Sequence, residues 1–339
     1  MNLLTLSNLE HGAGRALLDA TVAMGFSREV AREGLNAELH AWTRAGALEA
    51  VVDELPQDLD PARRPEGVLV IGARTLPASM MRATLMARLL GAKVLLKPAS
   101  GQAALAHALA SADPEVTVAA FSSDDLQALA AAVDDVDAVV VLGSDETVRT
   151  VRAHVPATKA FVGYGHRLSV AWLDAADEAA LVGVARDLCA WDQAGCLSPQ
   201  VVWTRESPAS VAPRIAEAVR RIEADLPMQL PDSAAPARRT ARTYAEMMGE
   251  VFETETALVC ALETSAFRAS PGHRFVWVLP ASTEALSAIQ GHVSTVGISG
   301  RLRAPIPGRV RRCPLGEMQR PSLTWAHDGL PNLIPMLRD

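Results

Sequence analysis

The sequence predicts an α/β protein made of two doubly wound parallel-sheet domains with a cleft between them, preceded by a helical N-terminus. Three observations carry this expectation. A chain of 339 residues exceeds the size at which a single hydrophobic core keeps growing, so two domains are expected. From Gly67 onward, short continuous apolar runs alternate with helical stretches on the order of ten residues long, the texture of parallel strands covered on both faces. After Pro156 the same alternation starts again. The expected organisation is a helical segment 1–66 packing on its neighbour, a domain 67–165 rejoined by 317–339, and a second domain 166–316.

Hydrophobic residues make up 49% of the chain and the formal net charge is −7. Both point to a globular protein and away from nucleic acid, which would require a basic face. No apolar run approaches the roughly 20 residues that span a bilayer, and the first residues lack the basic start and cleavage site of a signal peptide. A cytoplasmic location without a membrane span is therefore expected. The four cysteines, at 189, 196, 260 and 313, form neither a disulfide framework nor a C-x2-C metal pair, so no metal is expected.

In chain order, Ser7-Asn8-Leu9-Glu10 has capping-box spacing and predicts a helix to about Met24, while Ser27 predicts a cap for a second helix to about Ala45. Gly12-Ala13-Gly14 is no dinucleotide fingerprint, because no strand precedes it. Asp53 to Glu66 reads as a linker. Strands are expected at 68–71, 93–96, 116–121 and 138–142, separated by helices at 78–90 and 102–110 and by an alanine-rich helix capped by Ser123. After Pro156 the sequence reads as strands at 159–162 and 168–173, a helix 177–189, strand 200–203, helix 209–224, a proline-rich break 227–239, helix 237–249, strands 257–262 and 275–279, helix 283–289 and strand 293–298. Arg301, Arg303, Arg309, Arg311 and Arg312 read as a solvated basic face that could also attract phosphates of an acyl carrier or of coenzyme A.

Ligands of doubly wound sheets bind beyond the carboxyl ends of the strands, and two strand exits carry suggestive chemistry. Lys97 leaves a buried strand into Pro98-Ala99-Ser100, where it can reach a ribose or a phosphate; a solvated loop lysine is the commoner role. At Leu142-Gly143-Ser144-Asp145-Glu146, a glycine and a serine meet a helix start, where free N–H groups welcome a pyrophosphate. An ordinary serine cap, with acidic residues favoured in any first turn, explains the same pattern.

The most informative stretch is Trp191-Asp192-Gln193-Ala194-Gly195-Cys196-Leu197-Ser198-Pro199. A helix ends at a small-residue turn, presents a thiol, and enters an apolar strand after a proline. A lone cysteine is usually a small buried hydrophobe. Gly195, which permits close approach of a substrate or another backbone, together with polar Asp192 and Gln193, raises the case for Cys196 as a nucleophile.

With these residues assembled, the chain resembles the aldehyde dehydrogenase superfamily, and within it the LuxC-like acyl-CoA reductases. Lys97-Pro98-Ala99-Ser100 resembles that superfamily's ribose-binding K-P-x-E turn, Gly143-Ser144-Asp145-Glu146 its pyrophosphate turn, and Gln193-Ala194-Gly195-Cys196 its Q-x-x-C nucleophile loop. Gly165-His166-Arg167-Leu168-Ser169 and Trp325-Ala326-His327-Asp328-Gly329 resemble the reductases more narrowly. The resemblance implies two Rossmann-type domains and NAD(P)H-dependent reduction of an acyl-CoA or acyl carrier protein thioester to an aldehyde. It further implies Cys196, Thr75 and Gln193 as catalytic residues, and Lys97, Ser100, Gly143 and Ser144 as cofactor-binding ones. NADPH is the expected cofactor with NADH as the alternative, and a homo-oligomer is expected.

Two departures stand out. The hydrolytic enzymes' glutamate base falls at Gly163, so nothing is placed to activate water, which a thioester reductase does not need. Their oxyanion asparagine falls at Thr75. Two other readings stay open: a cysteine acyltransferase or thioesterase with no redox step, and a non-catalytic partner subunit that keeps the fold.

Overall fold

A computed structural model describes residues 1–338. The chain divides into two compact units: residues 1–24, 35–166 and 322–338 form the first, and residues 25–34 and 167–321 the second.

The first unit opens with α1 (Leu3–Ser7) and α2 (Gly12–Ala23); α3 (Arg28–Thr43) and α4 (Ala47–Val52) follow. Asn2 caps α1 by accepting from Thr5 N–H, and Ser7 lies in that helix's last turn with its Oγ donating back to the Leu3 carbonyl. The expected capping box at Ser7 is thus not formed. A serine one turn from a carbonyl satisfies that carbonyl instead of starting a helix, and the chain breaks at Asn8 before restarting at Gly12. A side chain at Gly14 would collide with the Leu6 and Asn8 carbonyls, so that glycine lets α2 pack closely on α1, while Gly12 holds left-handed backbone at φ 56°. Ser27 caps α3 as expected, accepting from Val30 N–H.

The sheet of this unit contains β1 (Gly67–Ile71), β2 (Lys93–Lys97), β3 (Val116–Val118), β4 (Ala138–Leu142) and β5 (Ala160–Tyr164), all parallel in the order β3-β2-β1-β4-β5. Strands β1 and β4 are apolar and buried along nearly their whole length because helices cover both faces. The connecting helices are α5 (Pro77–Leu89), α6 (Ala103–Ser111), α7 (Leu126–Asp134) and α8 (Asp145–Arg152). Helix α7 is capped by Asp125, which accepts from Ala128 N–H, and not by Ser123. Strand β3 ends at Val118, earlier than the apolar run suggests, which lengthens the loop and moves the helix start two residues on.

Helix α5 is buried almost all round, including Arg82. The Arg82 guanidinium is satisfied by the carbonyls of Ser322, Leu323 and Trp325 and by Asn332 Oδ1, so it fastens the C-terminal segment to this unit. Glu54 holds the same segment through the N–H groups of Asn332 and Leu333 and the Asn332 amide.

The second unit contains β6 (Leu168–Leu173), α9 (Glu178–Cys189), β7 (Pro199–Thr204), α10 (Pro208–Glu223), α11 (Ala235–Met248), β8 (Gly249–Glu253), β9 (Leu258–Leu262), β10 (Phe275–Pro280), α12 (Thr283–Ile289), β11 (Val293–Ser299) and β12 (Arg311–Pro314). The strand order is β12-β11-β6-β7-β10-β9-β8, parallel except for β8. One face packs on α9 and α10; the other buries Trp172, Trp203 and Trp277. The two outermost strands, β8 and β12, do not stand out in the sequence. Each pairs on one side only, and Gly-Glu-Val-Phe-Glu and Arg-Arg-Cys-Pro lack the apolar runs of buried strands. No described helix is long and apolar enough to cross a membrane.

Candidate active site

Cys196 lies between α9 and β7, at the amino ends of the second unit's parallel strands. The carboxyl-end rule therefore describes the first sheet's candidate residues and not the thiol. Cys196 is exposed, whereas Cys189 and Cys260 are buried and Cys313 is half-buried. Burial pushes the Cys189 and Cys313 thiols up to about 11 and the Cys260 thiol to about 12, so all three are protonated at neutral pH.

The loop that carries the thiol has an unusual backbone. Trp191, Asp192 and Gln193 all have left-handed φ values, 52°, 50° and 61°. For residues with a Cβ such conformations cost roughly 1–3 kcal/mol each and persist only where the surroundings impose them. Three anchors do so here. Trp191 is buried, meeting Phe26 edge-on at 5.4 Å between ring centroids and lying so close to Gly34 that a side chain there would strike the indole. Asp192 Oδ1 accepts from Arg274 Nη2 at 2.6 Å, and Arg274 also donates to Thr256 Oγ1 and the Cys189 carbonyl.

Gln193 is the third anchor. Its Nε2 donates to the carbonyls of Pro199 and Phe275 at 2.8 and 2.7 Å, and its Oε1 accepts from Phe275 N–H at 2.8 Å. In the β7–β10 ladder Trp277 stands opposite Val201, which puts Phe275 and Pro199 two residues upstream on either strand. Proline has no N–H to offer the ladder, and the Gln193 amide fills the gap. Only 5% exposed and bonded through its side chain to main-chain groups, Gln193 holds the loop in place.

Beyond the anchors, Ser198 N–H donates to the Gly195 carbonyl at 3.1 Å, closing a turn with Cys196 at its second position. Ser169 Oγ donates to the Cys196 carbonyl at 2.7 Å, and Gln319 Nε2 donates to Ser198 Oγ.

The remaining expected residues gather at the carboxyl edge of the first unit's sheet. Thr75 is exposed in the β1–α5 loop. The preceding residue is tethered: buried Gln102, at the start of α6, donates from Nε2 to the Arg74 carbonyl, while its Oε1 has no partner. Lys97 ends β2 and is 6% exposed; its Nζ donates to Ser123 Oγ at 2.7 Å and lies 5.9 Å from the Phe121 ring centroid. Burial lowers the Lys97 pKa, with Asp124 opposing. Ser100 is exposed and caps nothing, since α6 begins after Gln102 without a side-chain cap.

Ser144 caps α8, accepting from Thr147 N–H at 3.1 Å. Asp145, in the first turn, is drawn aside to accept from His166 N–H at 2.8 Å. Gly143 keeps the turn open: a Cβ there would approach Thr147 Cβ to 3.1 Å. An open helix N-terminus, a buried lysine and an unpartnered amide oxygen at one sheet edge fit a dinucleotide. At Gly163 a Cβ would come within 2.6 Å of Val148 Cγ1, so β5 has no room for a carboxylate side chain.

Of the five basic residues at 301–312, Arg309, Arg311 and Arg312 donate to main-chain carbonyls and serve local structure. Arg301 and Arg303 follow β11, at the end of the sheet opposite Cys196. Among the described residues no cluster of histidine, cysteine and carboxylate side chains could hold a metal ion.

Sequence reasoning gives no role to Arg274 or Gln102, names Ser169 only within a family-like stretch, and takes Ser123 for a helix cap. A serine in the apolar strand Leu168–Leu173 was the one available signal.

The sequence profile of the family described as acyl-CoA reductase (LuxC) matches residues 62–339. No curated protein matches the chain. Among solved structures, an NAD-dependent aldehyde dehydrogenase from Sinorhizobium meliloti is similar with a TM-score of 0.66 at 16% identity, over 92% of this chain and 72% of its own. An oxidoreductase from Marinobacter aquaeolei gives 0.69 at 11% identity over 99% and 82%. An acetylating aldehyde dehydrogenase from Geobacillus thermoglucosidasius gives 0.63 at 12% over 95% and 83%. These likenesses show the fold.

Proposed function

Since the chain belongs to the acyl-CoA reductase (LuxC) family, we propose that it reduces an acyl-CoA or acyl carrier thioester to an aldehyde through an acyl group held on Cys196. The observation that carries the reading is that Cys196 alone of the four cysteines is exposed, on a loop held in left-handed conformation by buried anchors.

The Cys196 sulfur forms a bond to the acyl carbon, and the donor's thiolate leaves once the tetrahedral oxyanion collapses. The Cys196 main-chain N–H is the donor its own loop offers to that oxyanion. When bound, the reduced nicotinamide supplies the hydride that takes the acyl group to the aldehyde oxidation level. Release of the aldehyde returns the cysteine thiolate. In the first unit, Lys97 and Ser100 would hold the ribose end of the cofactor, and Gly143 with Ser144 the pyrophosphate at the start of α8. Gly163 stands where the hydrolytic enzymes of the resembled superfamily carry their glutamate base, which supports reduction over hydrolysis.

The test is intact-mass detection of the acyl adduct. Cys196→Ala is expected to lose both adduct and aldehyde while NADPH still quenches protein fluorescence. Loss of the adduct in Cys189→Ala or Cys313→Ala, but not in Cys196→Ala, would overturn the assignment. Acyl transfer to a thiol with no cofactor binding would favour a transferase.

A further inference from the structure

We propose that Ser169 is a positioning residue for the acylation step, clamping Cys196 from the neighbouring strand; this rests on Cys196 being the nucleophile. Ser169 lies near the start of β6 and is fully buried. Its hydroxyl makes two bonds in opposite senses: Oγ donates to the Cys196 carbonyl at 2.7 Å and accepts from Thr295 N–H on β11 at 3.1 Å.

The strand geometry is arranged around this hydroxyl. The β6–β7 register shifts between Ser169 and Val170, and the β6–β11 register shifts between Val293 and Thr295. Such irregularities leave ladder groups without main-chain partners and re-aim a side chain. Here the Ser169 hydroxyl accepts from the Thr295 N–H beside the shift and donates its own hydrogen to the carbonyl of the residue bearing the thiol. A hydroxyl can do both at once, being one donor and two acceptors. Alanine can do neither, and would leave a buried N–H and a loop carbonyl without partners.

The consequence lies in orientation. The Gly195–Ser198 turn is held at Ser198 by Gln319, and three residues before the thiol by Gln193. Neither fixes the peptide that leaves Cys196. Without the bond from Ser169 the Cys196 Cα could turn about its own φ and ψ, and the thiol and the Cys196 N–H attached to it would change direction, and the attack angle with them. Small displacements of a reacting group are costly in rate.

The experiment compares two reactions of the same thiol. Iodoacetamide needs only an accessible thiolate, whereas acyl-CoA needs the thiol and the oxyanion donors aligned. In Ser169→Ala, acylation followed by mass is expected to fall about tenfold or more. Alkylation, across its pH profile, should stay within about threefold of native. Ser169→Thr, which keeps the hydroxyl, should recover most of the loss. Should Ser169→Ala not fold, Ser169→Cys keeps the size with a poor donor and makes the same comparison. Acylation within about threefold of native, or an equal fall in both reactions, would overturn the proposal. Acylation surviving in Cys196→Ala would instead remove the nucleophile assignment on which it stands.

Discussion

Asp192 and Arg274 form an ion pair of 2.6 Å with side chains 6% and 0% exposed, and both residues hold left-handed backbone, at φ 50° and 58°. The pair joins two segments that neither helix nor strand geometry would hold in place. Removing one member of a buried pair leaves an uncompensated charge and costs roughly 3–5 kcal/mol. Arg274→Met is therefore expected to lower unfolding stability in urea by about that amount. The double variant Asp192→Asn with Arg274→Met should regain part of it. Equal stability of the two variants would show that the two side chains are not coupled.

The same carboxyl gives a pH dependence of definite sign. Burial outweighs the guanidinium and pushes Asp192 up to about 6, against about 3.9 in an unfolded chain. Between these values the folded state binds more protons, so the Asp192 contribution is greatest below about pH 4 and is lost as pH rises through 6. The stability difference between native protein and Asp192→Asn should shift by on the order of 1–3 kcal/mol across that window. A flat difference from pH 4 to 7 would contradict the assignment.

Arg82 governs the C-terminal segment. Its guanidinium serves three carbonyls and the Asn332 amide oxygen, and no apolar side chain can replace those bonds. Arg82→Met should open residues 322–338 to limited proteolysis under native conditions, with cleavage there preceding any other. Arg82→Lys, a single point charge without the planar fork, should protect only in part. Cleavage elsewhere first would mean that Glu54 alone holds the segment.

How far the sequence carried the reading follows from what each residue is bonded to. Apolar runs such as Val68–Ile71 and Ala138–Leu142 announce buried strands because burial selects residues locally. The edge strands β8 and β12 escape, since an edge needs only one partner and tolerates Glu250 or Arg311. Ser7 and Ser123 fit cap spacing, yet each spends its hydroxyl elsewhere, on the Leu3 carbonyl and on Lys97 Nζ. The exposed turn that carries Cys196 could be singled out because its residues are contiguous in the sequence. Arg274 and Ser169 were not, because their partners lie 82 and 27 residues away and only the folded sheet brings them together.

Gly163 yields a prediction about by-products. With Val148 and Phe161 crowding it, Gly163→Glu is expected to destabilise the first unit without creating a hydrolase. On the proposed mechanism the acyl-enzyme should persist until hydride or a thiol removes it, so free acid should appear far more slowly than aldehyde. Rapid steady-state release of acid from an acyl-CoA, with no thiol acceptor present, would count against this.

Cofactor preference is expected to turn on the end of β2. The negative charge that a K-P-x-E turn would offer to a ribose 2′-hydroxyl is missing, because Ser100 stands there, exposed and capping nothing. Lys97 is close in sequence but donates to Ser123 Oγ at 2.7 Å, and burial lowers its pKa. A 2′-phosphate would give that ammonium a charge-assisted partner in place of a neutral hydroxyl. Hydrogen bonds to charged groups contribute about 1.5–3 kcal/mol, and about 1.4 kcal/mol is a tenfold change in affinity. NADPH is therefore expected to be used at least as well as NADH, by up to a decade, and Ser100→Glu should reverse the order by repelling the phosphate. Ser123→Ala, which releases Lys97 from its present partner, should widen the NADPH preference. Catalytic efficiencies with both reduced cofactors decide the matter: a strong native preference for NADH, or NADPH use undiminished by the added glutamate, would place the determinant on another loop.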